Sequence, residues 1–402
     1  MQESLSLLDL ILFLLLNFVA WTTVALFMSR RQMRQIMPII GMALWHFTLA
    51  TVFLLFSADK VSDSYNYYVW SSQPESLGLG FSGSWFIINV VWLLRSITID
   101  NYIFLVFFFA GLSFIGIVSM YMTFIEVAGR GIGRYGNRII WLIFMLPGLH
   151  FWTSAIGKDS LMILAFSLML RILCKRSWLD WMILFIGVAL SFLTRPHISV
   201  SVVFSMLLFY GIYYSGNGNA GKRYLARFAA LILLIGVAIG GYYFLLDSVQ
   251  KYSSAGYSDI ADFIESRQDV YAGTASGVDL SDYPVWAKFF IFLLGALPVS
   301  IGGLLQIVAF LEGLVIMGMM IYVSAHIKIS WFRSWDKRCM GIFFFFIFLT
   351  VTILLSLVAG NQGLAVRQRV MAYIPLGASF IFTLWSVSES RVWRKICQMR
   401  LN

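Results

Sequence analysis

The sequence predicts an all-α polytopic integral membrane protein, a single transmembrane domain over residues 1–402 with about 11 transmembrane helices, broken or re-entrant elements and outer-face loops. Three observations predict it. The 402 residues are 60% hydrophobic and 17% aromatic but only 12% charged, about half the charge fraction of an ordinary soluble domain. Apolar stretches of span length recur along the chain. The basic residues behind the formal charge of +10 fall in short clusters between those stretches, a topology signal and not a nucleic-acid-binding surface.

In order, the apolar stretches run approximately over 6–28, 36–57, 102–125, 139–155, 160–174, 181–194, 198–214, 229–246, 340–358 and 370–387. Leu7–Phe27 is long enough to cross, and Glu3 and Asp9 stand where a cleavable signal needs basic residues. Residues 287–326 are too many for one span and too few for three. Val285–Ala296 therefore reads as an amphipathic or half-inserted helix on the outer side, broken at Leu297-Pro298 and followed by one span over roughly 304–325. Glu312 would lie inside that span, which is expensive unless it faces the bundle interior, or a shifted register places it nearer an interface.

Basic clusters at 30–34, 130–138, 171–176, 222–227, 328–338 and 391–400 hold most of the 29 Lys and Arg. Placing them in the cytoplasm puts the N-terminus outside and the C-terminus inside. Cys174, Cys339 and Cys397 then lie on the inner, reducing side, without metal-ligand spacing; neither a metal nor a cofactor is expected.

The remaining polar segments all land on the outer face. Leu146–Met162 is an apolar run broken by Pro147 and Gly148 that then carries His150, Trp152, Lys158, Asp159 and Ser160. Backbone that leaves the helix at membrane depth must be buried in protein or line a wet cavity. Lys158 and the amides at the next helix start favour an anion, although Trp152 stands where a nucleotide-binding phosphate loop needs glycine. The plainer reading is a snorkelling lysine beside an N-cap aspartate. Arg195-Pro196-His197 sits on a sharp turn, because Pro196 cannot continue the incoming helix. The arginine fork suits a diphosphate, or else it anchors at the interface. Arg367 and Arg369 precede the last span and add positive charge, as does Arg95 at the end of the 58–101 loop and its interfacial helix. In that loop Asp63 offers a base, and Tyr65, Tyr67 and Tyr68 offer rings for sugar faces, or an interfacial aromatic belt. The loop over 247–286 is acidic and tyrosine-rich, suited to a hydroxyl-rich ligand or to solvent.

The string Leu149-His-Phe-Trp-Thr-Ser-Ala-Ile-Gly-Lys-Asp-Ser-Leu161, followed by Arg195-Pro196-His197 and preceded by Asp63-x-x-x-Tyr67, resembles the repeat-unit polymerases of bacterial O-antigen, capsule and exopolysaccharide synthesis. These are similar in plan to lipid-dependent polytopic membrane glycosyltransferases. The resemblance implies a polyprenyl-diphosphate-linked oligosaccharide as donor and acceptor, at the outer face of the bacterial cytoplasmic membrane. It implies no cofactor, and a chain-length regulator and a flippase as working partners beside the membrane lipid. On this reading Lys158, Arg195, Arg367, Arg369 and Arg95 bind diphosphate, and Asp63, Asp159 and His197 compete as catalytic base. Tyr65, Tyr67, Tyr68, His150 and Trp152 bind sugar. A ligase or single-sugar transferase using the same donor is the nearest alternative, and a non-catalytic flippase or exporter is the alternative of another class. The crowding of motifs on one face favours an enzyme over a transport path.

Overall fold

The computed structural model describes residues 15, 17–24, 35–58, 62–73, 82–174, 177–214, 283–295, 303–328, 337–359 and 362–401. The predicted span at 229–246, nearly all of the 247–286 loop and most of the first span lie outside the described residues. The described secondary structure is helical throughout, in two compact units, Met1–Pro196 and His197–Asn402.

The first unit contains α1 (Ile36–Ala58), α2 (Asp63–Trp70), α3 (Ser84–Ile97), α4 (Tyr102–Val127), α5 (Gly129–Phe144), α6 (Pro147–Thr153), α7 (Lys158–Leu170) and α8 (Trp178–Thr194). The second contains α9, which begins at the boundary (Pro196–Tyr214), then α10 (Val285–Leu294), α11 (Leu304–His326), α12 (Lys337–Val358) and α13 (Gln362–Leu401).

The expected count of about 11 spans is corrected by the helix lengths. Among the described residues, five helices are long and apolar enough to cross a membrane: Ile36–Ser57, Tyr102–Val127, Leu304–His326, Cys339–Leu357 and Gln362–Glu389. They give the protein its membrane-associated character. The other apolar stretches fold as shorter pieces. The stretch 139–155 is divided between α5 and α6 at Pro147, and 160–174 yields the 13 residues of α7. At about 1.5 Å per residue α7 is roughly 20 Å long, well short of a hydrocarbon core of about 30 Å. These shorter helices pack on one another around buried aromatic clusters and ion pairs.

Small residues set the packing of α4, α7 and α8. A Cβ on Gly116 would come within 3.0 Å of Ile163, and one on Gly187 within 2.9 Å of the Ala165 carbonyl. Such close backbone approach is what glycine permits between apolar helices. Gly116 meets Ile163, and farther along both chains Cys174 Sγ lies 4.0 Å from the Thr123 carbonyl, so α4 and α7 run side by side in the same direction. The α7–α8 pair is antiparallel: Thr194 reaches Met162, while Asp180 at the other end pairs with Arg171 at 3.3 Å.

In the second unit, Glu312 is buried on α11 and receives Arg369 Nη2 from α13 at 2.6 Å. Arg369 Nη1 also donates to the carbonyls of Leu293 (3.1 Å) and Ala309 (3.0 Å). Three helices are thereby fastened at one guanidinium. Gly295 makes this possible: its φ is +75°, and a Cβ there would stand 2.3 Å from Arg369 Nη1. Gly313 does the same for α11 against α10, since its Cβ would fall 2.2 Å from the Leu294 carbonyl.

Removing one member of a buried pair leaves the other charge uncompensated, at a cost of about 3–5 kcal/mol. Glu312→Ala should therefore lower unfolding stability by about that amount, and Glu312→Ala combined with Arg369→Met should recover most of it, as read by denaturant titration in detergent.

Candidate functional site

Three of the predicted polar segments are drawn together within the first unit. Asp159, in the first turn of α7, is almost fully buried, and Arg195 at the C-cap of α8 donates Nη2 to its Oδ1 at 2.5 Å. Arg195 is only 6% exposed, yet its Nε has no hydrogen-bond partner. Pro196 explains the placement, since α8 must end there and the Arg195 backbone leaves helical geometry (φ −143°, ψ 80°). The Gly83 amide donates to the Leu193 carbonyl at 2.7 Å and secures the start of α3 against the same end of α8.

The third segment is α2. Ser64 Oγ accepts the Ile156 amide from the connection between α6 and α7 at 3.2 Å, and the Tyr102 hydroxyl donates to the same oxygen at 3.2 Å. Asp63 and Tyr65 flank this buried serine and are themselves exposed. Ser62 starts α2 by accepting the Tyr65 amide. Lys158 is half-buried at the start of α7, where Gly157 is the N-cap and offers no side chain to the first amides. With Ile163 against Gly116, Lys158 sits level with about Gly111, roughly 13 Å along α4 from Tyr102. A lysine, helix amides without a side-chain cap and a buried guanidinium nitrogen without a hydrogen-bond partner thus meet at the start of α7, a local setting that favours negative charge.

Other predicted residues have different surroundings. Arg95 makes a two-point contact with Asp100, Nε to Oδ1 and Nη2 to Oδ2 at 2.7 Å each. Its Nη1 donates to the Tyr68 carbonyl (2.8 Å) and Ser71 Oγ (2.9 Å). Tyr68 lies beneath the guanidinium, 4.4 Å from ring centroid to Cζ, and donates its hydroxyl to Asp100 at 2.9 Å. Arg95 is therefore the clasp between α2 and α3, its fork occupied by a carboxylate. Tyr67 is buried with Ile87 and Leu105, which leaves Tyr65, 43% exposed, as the tyrosine of this trio with the most open ring. Trp152 is half-buried against Phe151. His197 is exposed in the first turn of α9, and Arg367 is half-buried on α13; both belong to the second unit, as does Arg369 with its carbonyl and Glu312 contacts.

His150 reveals a partner that sequence reasoning missed. It is fully buried, and its Nδ1 lies 3.0 Å from Nδ1 of His46 on α1. Its Nε2 is 2.6 Å from the Phe144 carbonyl, in the last turn of α5 where helical N–H partners run out. A carbonyl only accepts, so His150 Nε2 carries a proton, and so does His46 Nε2, which lies 3.0 Å from the Ala110 carbonyl; a proton bridges the two Nδ1 atoms only when the pair carries one beyond neutrality. His46 Nε2 faces Ser113 Oγ at 3.3 Å. The pair ties α6 to α1, with both rings fully buried. Its only sequence signal was a lone histidine inside an apolar span.

Comparison with protein families, curated proteins and solved structures finds no match for this chain.

Two outcomes follow from these contacts. His46→Ala leaves a buried ring nitrogen unpartnered and should destabilise the protein by about 1–3 kcal/mol in detergent unfolding, whereas His197→Ala should change stability by less than about 0.5 kcal/mol. The hydrogen bond from Arg95, reinforced by Tyr68, holds the Asp100 carboxyl below its ordinary range. The folded-state value is depressed, so this contribution is present above the ordinary carboxylate value and fades as pH falls through the folded one. Thermal stability should fall as pH is lowered below about 4, and fall less in Asp100→Asn.

Proposed function

We propose that this protein is a membrane glycosyltransferase that polymerises polyprenyl-diphosphate-linked oligosaccharide repeat units, with release of polyprenyl diphosphate. It works at the outer face of the bacterial cytoplasmic membrane, with its N-terminus outside and its C-terminus in the cytoplasm. The observation that carries the reading is Arg195, which is buried, oriented by Asp159 and left with an unpartnered Nε at the start of α7 beside Lys158.

In this reaction the acceptor sugar hydroxyl loses its proton to a base as its oxygen bonds to the anomeric carbon of the donor. The bond from that carbon to the diphosphate breaks, and the electron pair leaves with the diphosphate. Negative charge therefore grows on the leaving group, where Lys158 and Arg195 give most help in the transition state. Asp63 is the better base of the candidates. It is exposed, on the helix that Ser64 fastens to the Ile156 connection, whereas Asp159 is engaged in holding Arg195. The open ring of Tyr65 provides a plate for the sugar. A chain-length regulator and a flippase for the lipid-linked unit are the partners this activity calls for.

Arg195→Ala, Lys158→Ala and Asp63→Ala variants that insert normally should reduce surface glycan to single repeat units while export of those units continues. Complete loss of surface sugar would assign the protein to export, and wild-type chain lengths in all three would refute the site.

A further inference from the structure

A separate feature lies on α5. The left-handed φ of +69° at Gly133 divides this helix, and Ile132 folds back on Gly136, where a Cβ would come within 2.4 Å of the Ile132 Cβ. Beyond the kink one side is packed: Trp141 Nε1 donates to the Pro38 carbonyl at 3.2 Å, and the Phe144 ring lies 5.9 Å from Tyr121 and 6.0 Å from Phe124. The other side is open. Arg134, Arg138 and Leu142 follow one another at single-turn spacing and are all exposed, Leu142 to 57%. Tyr135, 78% exposed, lies beside them with the Arg138 guanidinium 6.0 Å from its ring centroid.

The strip has a direction. Trp141 meets Pro38, and Trp45 Nε1 donates to the Met145 carbonyl at 3.0 Å, so α5 runs alongside α1 in the same sense. The α1 helix begins at Ile36 and is one of the five helices long enough to cross. Leu142 is therefore level with the first turn of that span, Arg138 with its very end, and Arg134 about 6 Å beyond it. Cations lie at the rim and a leucine one turn inward, with a tyrosine at the boundary, where such rings favour the interface. This order matches a phospholipid read from headgroup to acyl chain. The guanidinium fork is the side chain best shaped for a phosphate.

We propose that this face of α5 is a binding site for an anionic phospholipid, with the headgroup phosphate on Arg134 and Arg138 and an acyl chain along Leu142. It rests on α5 and α1 alone and stands apart from the catalytic proposal.

The test uses the full chain in detergent micelles containing equal amounts of phosphatidylglycerol and phosphatidylcholine, with retained lipid counted by native mass spectrometry. The wild type should retain phosphatidylglycerol about 30-fold over phosphatidylcholine, the combined pull of two arginines at a membrane surface. Arg134→Gln with Arg138→Gln should abolish the preference, and Arg134→Lys with Arg138→Lys should keep most of it. All these positions are exposed, so thermal stability should be unchanged. Equal retention in the wild type would overturn the proposal, as would a preference that survives the double glutamine variant. Displacement of the lipid by millimolar inorganic phosphate would also overturn it, by assigning the face to a free anion.

Discussion

The buried ion pair between Asp159 and Arg195 is the constraint on which the first unit's polar architecture depends. It closes one end of the α7–α8 hairpin, and Arg171 with Asp180 closes the other. Each acid stands in the first turn of its helix and each base at the end of one, so all four charges oppose the helix dipoles favourably. The two ends differ in consequence. Arg171 is half-exposed, and its pair contributes little. At the Asp159 end both partners are taken out of water, so neither can be lost without stranding a charge. A guanidinium held there has its side chain ordered in advance, which is what the proposed anion site requires.

The second unit solves the same electrostatic problem with a different result. Arg369 is 1% exposed and donates to Glu312, Leu293 and Ala309. Its site is completed by protein, and Gly295 has been emptied of a side chain to admit it. Arg195 keeps an unpartnered nitrogen in a setting of similar burial. That contrast separates an arginine engaged by a carboxylate and two carbonyls from one whose Nε has no hydrogen-bond partner.

The sequence showed where the chain breaks but not how long the pieces are. Pro147 and Pro196 mark real interruptions, and Glu312 faces inward as its cost demanded. Hydropathy counted α7 and α8 as spans because it measures composition over a window and is blind to the turns that cut helices to 13 and 17 residues. Lys158, Asp159 and Arg195 were legible because charge inside an apolar run is conspicuous. Which arginines were already taken was not legible. Arg95 is claimed by Asp100 five residues on, a spacing that also fits solvent exposure, and Arg369 by a glutamate 57 residues away. The His46–His150 pair is separated by 104 residues and leaves no local pattern at all.

In the proposed site Asp159 holds Arg195 in place for an anion. The affinity of the 402-residue chain for a polyprenyl diphosphate, before and after Asp159→Ala in protein shown to remain folded, tests this. Simple electrostatics expects the loss of a nearby negative charge to tighten anion binding. If Asp159 is the anchor the reverse holds, and binding weakens about tenfold or more as Arg195 loses its partner. Binding as tight as wild type, or tighter, would contradict it.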